Sequence, residues 1–176
     1  MAFIELEDGD GQNSSRAFAA RPAVLAAWQE LNGAIKESGG DLRRYELATL
    51  AAARRLRSSY CCLAHGKVLA EQFYDFGAVP ALPDGLDETD TAIMELADKV
   101  VVDATSVTEV DWDKLRALGL DDAQIMDVVL AAAARCFFSK VLDGVGAAPD
   151  DAYQSLDEGV RRSLEVGRPF GERTTP

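Results

Sequence analysis

Apolar positions recur at helical spacing along most of the chain. Between Arg21 and Ser38, residues Leu25, Trp28, Leu31 and Ile35 follow one another at steps of three and four, which lines one face of an α-helix. Pro22 suits the first turn, and the Gly39-Gly40 pair stops the helix. Asp41 is placed to cap a second helix running to about Arg57, with Leu42, Tyr45, Thr49, Leu50, Ala53 and Leu56 as its buried stripe. Ser58-Ser59 interrupts that pattern, and a third helix is expected from Tyr60 to Phe76 with Leu63, Val68, Leu69 and Phe73 facing inward.

The second half reads the same way. Gly77 to Leu86 contains Pro80, Pro83 and Gly85 and predicts a loop. Asp87 or Thr89 opens a helix through Ile93, Leu96, Ala97 and Val100 to about Thr105. The β-branched Val100-Val101-Val102 sits inside that period and is read as helical. Thr108 caps a short helix closed by Gly119, and Asp121 followed by Gln124 is a capping-box pattern. The long helix after it carries Ile125, Val128, Val129, Ala132 and Phe137 and closes at Gly144 or Gly146. Pro149 to Val166 is expected as one last, loosely docked helix. No segment alternates with a period of two. The expectation is an all-α fold of about seven helices, with an N-terminal arm (1–20), a helical domain (21–150) and a C-terminal helix and tail (151–176).

Composition narrows the function. Hydrophobic residues make up 48% of the 176, enough for a sizeable core. The net charge of −12 argues against nucleic acid or an anionic membrane as partner, because both need a basic footprint. Three cysteines do not make a disulfide framework, so a reducing cytoplasm is the expected compartment. The acidic N-terminus lacks the features of a signal peptide, and no apolar run is long enough to span a membrane. The longest, Val128 to Ala134, stops at Arg135.

Candidate chemistry centres on residues 54–65. Cys61 and the only histidine, His65, are four apart, which places both on one helical face. Cys61 lies in the first turn, where free N–H groups and the helix dipole favour a thiolate. If the second and third helices form an antiparallel hairpin, Glu46 comes within reach of His65 and can orient it. The same residues also fit quieter roles. A cysteine is often a small hydrophobe, a lone histidine a hydrogen-bonded structural group, and a lone glutamate a solvated charge. Cys62 and Cys136 read as packing residues. Arg54, Arg55 and Arg57 sit at a helix C-terminus, where cations are favoured. No phosphate loop, nucleophile elbow or zinc-finger spacing occurs, so no metal or other cofactor is expected.

The segment Glu46-x11-Ser58-Ser-Tyr-Cys61-Cys-Leu-Ala-His65 resembles the core of the alkylhydroperoxidase D family, within the carboxymuconolactone decarboxylase-like superfamily. That family carries a glutamate, eleven residues, then Cys-x-x-Cys-x-x-x-His. Asp98 to Val129 is similar to its uncharacterised peroxidase-related branch, and the resemblance spans about residues 20–150. It implies that Glu46 is the proton-relay glutamate, Cys61 the cysteine that meets peroxide, and His65 the relay histidine. Tyr60 stands where some members have a second histidine and others a tyrosine. Ser58 stands in place of the first cysteine, so the family's disulfide cannot form within the motif. Cys136, or less comfortably the adjacent Cys62, is then the remaining candidate for a resolving thiol.

The expectation is a thiol-dependent hydroperoxide reductase that uses a small hydroperoxide and an external thiol or thiol protein. Ser58 would be a hydrogen-bond donor, and the protein a homo-oligomer (trimer or hexamer), as is usual in the family. Two rivals stand beside it. One is an acid–base enzyme of the decarboxylase type, which a basic pocket near His65 lined by Arg54 or Arg57 would favour. The other is an inactive helical scaffold, which a buried Cys61 with no cavity beside it and no thiolate absorbance at neutral pH would favour.

Overall fold

The computed structural model describes residues 3, 11–77 and 79–168. Eight α-helices follow in order among them: α1 Asn13–Ala17, α2 Pro22–Ser38, α3 Leu42–Arg55, α4 Ser59–Gln72, α5 Glu88–Asp103, α6 Glu109–Ala117, α7 Asp122–Gly144 and α8 Glu158–Leu164. Short 3-10 turns lie at Ala104–Ser106 and Asp151–Ser155. The described residues hold no sheet, only an isolated bridge between Phe76 and Pro83. The fold is all-α.

Local chemistry sets the helix ends. Asp41 accepts from the Arg44 N–H at 3.1 Å. Thr108 with Asp111, and Asp121 with Gln124, form reciprocal capping boxes. Gly40 and Gly119 take the left-handed conformation that closes α2 and α6 (φ +60° and +93°).

The packing is organised around α3, which lies against α4, α5 and α7. Every residue from Tyr45 to Ala53 is buried, so this helix has no solvent face in its centre. Ala48, Ala51, Ala52 and Ala53 are fully buried and let three neighbours approach closely. Glu46 is carried into the same dry environment with them. The α3–α4 junction is a Schellman closure: Ser58 N–H donates to Ala53 O at 3.0 Å and Arg57 N–H to Arg54 O at 3.0 Å. Arg57 occupies the left-handed position usually given to glycine (φ +57°). This turn folds α4 back along α3 and sets the register that brings residue 46 to residue 65.

Three sequence expectations need correction. The helix from Tyr60 ends at Gln72 rather than Phe76, and the chain turns so that Phe76 pairs with Pro83. Pro149 to Val166 is not one helix. A 3-10 turn ends at Ser155, and Asp157 caps a new start by accepting from Gly159 N–H (2.8 Å) and Val160 N–H (3.2 Å). Nor is α8 loosely docked: Leu164 is fully buried against Gly66 of α4, where an added Cβ would lie 2.3 Å from Leu164 Cδ2. Of the expected arm and tail, residues 1, 2, 4–10 and 169–176 lie outside the described residues. Residues 13–17 form α1. The alanine stripe 131–134 divides between two faces. Ala131 and Ala132 point into the core, while Ala133 and Ala134 line an apolar groove with Val24, Leu31 and Phe137. No helix among the described residues is long and apolar enough to cross a membrane.

Candidate active site

A cavity of about 230 Å³ opens beside the start of α4. Its walls include Cys61 and His65 from α4, Trp28 from α2, Arg135 and Phe138 from α7, and Tyr153 from the 3-10 turn. Four predicted residues meet here. Cys61 and His65 face the cavity, Tyr60 forms part of its wall, and Glu46 stands behind His65.

The Glu46–His65 contact is the tightest polar feature of the site. Glu46 Oε2 lies 2.5 Å from His65 Nδ1, with Glu46 2% exposed. A carboxylate only accepts, which assigns the hydrogen to Nδ1 and the lone pair to Nε2. Burial lowers the His65 pKa from the ordinary value, and the nearby Arg135 charge lowers it further against the opposing pull of Glu46. At neutral pH His65 is therefore an uncharged base, oriented by a buried carboxylate. The other oxygen, Oε1, is 3.7 Å from Lys36 Nζ, and this lysine is half exposed. Tyr45 packs its ring edge-on to His65 and donates from its hydroxyl to Asn32 Oδ1 at 2.8 Å.

Arg135 was not among the residues singled out from the sequence. It is 4% exposed, with its guanidinium over the rings of Trp28 and Phe138 at 5.8 and 5.4 Å from their centroids. Its Nη1 donates toward Cys61 Sγ at 3.7 Å, and its buried Nε has no partner. The signal was present in the helical period. Ile125, Val128, Ala132, Ser139 and Leu142 are buried along α7, and Arg135 falls on that same inward stripe. A cation on a core stripe is a signal legible in the spacing, although Arg135 also reads as the end of the apolar run 128–134.

Tyr60 is held as a clasp. Its hydroxyl donates to Asp150 Oδ2 at 2.6 Å and accepts from the Ser14 N–H at 3.1 Å. Asp150 Oδ1 also accepts from the Asn13 N–H at 2.6 Å. Tyr60 thus ties α1 and the segment before the 3-10 turn over one side of the cavity. Burial and the Asp150 bond push its phenol pKa well up, so it stays protonated. Asn13, Ser14, Asp150 and Tyr153 carry no sequence signal for this arrangement, because it is formed by segments far apart in the chain.

The remaining candidates lie elsewhere. Ser58 is fully buried at the N-cap of α4, where its hydroxyl caps nothing and finds no well-formed hydrogen bond; the nearby Asp143 carboxyl is pushed up by burial and pulled down by that hydroxyl. Ser58 does not line the cavity. Cys62 is fully buried next to Cys61 but about 100° further round the helix, and burial holds its thiol pKa well above the usual range. Cys136 is half-buried on α7, is turned away from the cavity that Arg135 enters, and also has its thiol pushed up by burial. All three cysteines are free. Arg54 and Arg57 do not reach the cavity, so its basic residue is Arg135. Among the described residues no cluster of His, Cys, Asp and Glu could hold a metal ion.

No protein-family model and no curated protein matches the chain. Solved structures do. The alkylhydroperoxidase AhpD core of an uncharacterised peroxidase-related protein from Ralstonia eutropha superposes with a TM-score of 0.73, at 21% identity over 89% of this chain and 83% of that one. An uncharacterised peroxidase-related protein from Silicibacter gives a TM-score of 0.67, at 19% identity over 82% and 79%. A protein of unknown function from Agrobacterium tumefaciens, a candidate AhpD antioxidant defence protein, gives 0.67 at 20% identity over 76% and 94%. The chain therefore has the fold of the alkylhydroperoxidase AhpD core.

Proposed function

We propose that the protein belongs with the alkylhydroperoxidase D-like proteins and is a thiol-dependent hydroperoxide reductase with Cys61 as its nucleophile. One observation carries this reading: Cys61 and His65 line the same cavity, and the buried Glu46 carboxylate binds the histidine nitrogen turned away from it. That is the nucleophile, base and orienting carboxylate of an activated thiol. The cavity beside Cys61 speaks against an inert scaffold, although the sulfur-bearing residue itself is buried, at 1% exposed.

His65 Nε2 takes the Cys61 proton. The thiolate attacks the hydroxyl oxygen of the hydroperoxide, forming an S–O bond as the O–O bond breaks. The departing alkoxide takes the proton from His65 and leaves as an alcohol, and Cys61 is left as a sulfenic acid. With Ser58 in place of a motif cysteine, and Cys62 and Cys136 directed elsewhere, an external thiol resolves it. That thiol attacks the sulfenate sulfur, water leaves, and a mixed disulfide forms. A second thiol releases Cys61 and carries away the disulfide.

The test is consumption of an alkyl hydroperoxide by the purified protein with a small dithiol as reductant. Turnover that is lost in Cys61→Ser and kept in Cys136→Ser is expected; a wild-type protein no faster than the reductant alone overturns the reading.

A second reading rests on a different observation. Arg135 places a buried cation in the cavity, which suits the carboxylate of a small cyclic acid handled by acid–base chemistry between His65 and Glu46. It predicts conversion of lactone acids by a Cys61→Ala variant, whereas the favoured reading predicts none.

A further inference from the structure

Arg135 is an uncompensated charge. A guanidinium stays protonated at any pH a protein tolerates, and burying a cation without a partner carries a desolvation penalty of several kcal/mol. Among the described residues no carboxylate pairs with it. Glu46 is already engaged by His65 Nδ1 and by Lys36. Trp28 and Phe138 offer only ring faces, Nε has no acceptor, and the Tyr45 hydroxyl beside the guanidinium is held protonated by burial. The other ionisable groups on the cavity are the Tyr60 and Tyr153 phenols, which burial keeps protonated, and His65, which is neutral or positive. Among the described residues, with the Tyr45, Tyr60 and Tyr153 phenols kept protonated by burial, the group within reach of Arg135 that can become negative is the Cys61 sulfur, 3.7 Å from Nη1.

We propose that Arg135 is the counter-ion of Cys61, pairing with the thiolate as His65 removes the thiol proton, and is a catalytic residue of the site. This rests on the reading of Cys61 as the reacting group. A thiolate beside a guanidinium is charge-paired, so removing the thiol proton also relieves the buried cation. After attack on peroxide the same guanidinium faces the oxygen of the Cys61 sulfenic acid and holds it in place until an external thiol arrives. The aromatic pair holds the guanidinium in one orientation, so no reorganisation is needed as charge builds on sulfur.

The inference differs from a packing role in a measurable way. The thiolate is the species that reacts with iodoacetamide, and an opposite charge within about 4–6 Å changes the charged fraction by at least about tenfold. The experiment measures Cys61 alkylation by iodoacetamide at pH 7 in wild type, Arg135→Met and Arg135→Lys, with Cys136 replaced by serine throughout. At least about a tenfold loss in Arg135→Met is expected, with a smaller loss in Arg135→Lys, which keeps the charge. Thermal unfolding gives a second readout. Cys61→Ser strands the cation and lowers the melting temperature, and adding Arg135→Met restores it. If Arg135→Met does not fold, Arg135→Gln carries the same comparison.

An alkylation rate unchanged by Arg135→Met, or a Cys61→Ser penalty that Arg135→Met fails to relieve, overturns the inference. The two readings fail separately. Arg135-dependent alkylation in a protein inert to hydroperoxides removes the reductase and leaves the ion pair. Hydroperoxide reduction with Arg135-independent alkylation does the reverse.

Discussion

Replacing Glu46 by glutamine isolates the charge behind His65. The contact is short, buried and charge-assisted, with Oε2 2.5 Å from Nδ1 and the carboxylate 2% exposed. Hydrogen bonds to a charged group contribute about 1.5–3 kcal/mol. Glutamine keeps an acceptor for Nδ1–H but loses the charge that stabilises the imidazolium formed when Cys61 gives up its proton. Lys36, 3.7 Å from Oε1, already offsets part of that charge and points to the lower half of the range. A loss of about 1.5–2.2 kcal/mol in the transition state is a fall of roughly thirteen- to fortyfold in kcat/KM. Stability changes little, within about 1 kcal/mol, because the desolvation penalty of a buried carboxylate disappears with its bond. The pH profile supplies a check that a purely structural role would not move. Glu46 raises the His65 pKa against burial and Arg135, so the variant shifts the acid limb of kcat/KM to lower pH. The assay is steady-state hydroperoxide reduction from pH 5 to 8, with folding verified by thermal melts. A well-folded Glu46→Gln protein with wild-type kcat/KM and an unmoved acid limb refutes the reasoning.

Other outcomes follow from the same geometry. His65 is neutral in the fold with its pKa below the ordinary value of about 6.5, so the unfolded chain takes up a proton that the folded chain refuses. The stability present above pH 6.5 is lost as pH falls below it; urea midpoints at pH 8 and 5.5 should therefore separate more in wild type than in His65→Gln. Gly66→Ala drives a methyl into Leu164, and overpacking of about 1–3 kcal/mol outweighs the gain of up to about 1 kcal/mol in helix propensity. Calorimetry should show a lower melting temperature, and an unchanged one means that α8 yields at no cost. Tyr60→Phe leaves Asp150 and the Ser14 N–H each short of a partner, a loss of about 1–3 kcal/mol. It should loosen α1 over the cavity, seen as faster hydrogen exchange at residues 13–17, without removing hydroperoxide reduction.

The extent to which the sequence was legible follows from the range of the interactions involved. Helix ends at Asp41, Thr108, Asp121 and Gly119 were readable because a cap is a contact over three or four residues. The pairing of Glu46 with His65 was readable once a hairpin was assumed, since 1.5 Å per residue fixes what lies opposite. The break at Asp157 is a local capping contact to Gly159 and Val160, but Asp150, Asp151 and Asp157 are all capping residue types, and only the fold decides which of them starts an α-helix. The central position of α3 was not visible. A stripe was expected on one face, whereas burial runs all round from Tyr45 to Ala53, and only the packing of three neighbouring helices decides that. Arg135 shows the sharper limit. Its spacing placed it on an inward stripe, but what it meets there, Cys61 seventy-four positions away, is a property of the assembled core. The clasp of Tyr60 with Asp150 and Ser14 is likewise invisible locally, and it gives Tyr60 a holding role where a histidine stands in some members of the resembled family.

The most direct measurement is to locate the oxidised sulfur. The protein is mixed with one equivalent of an alkyl hydroperoxide, the sulfenate is trapped with a cyclic 1,3-diketone, and the labelled peptides are read by mass spectrometry. A fast-forming label on Cys61 is expected, with Cys62 and Cys136 unmodified and no label in Cys61→Ser. Equal labelling of Cys61 and Cys136, or labelling of Cys61 no faster than that of a free thiol, contradicts a thiol activated by His65, Glu46 and Arg135.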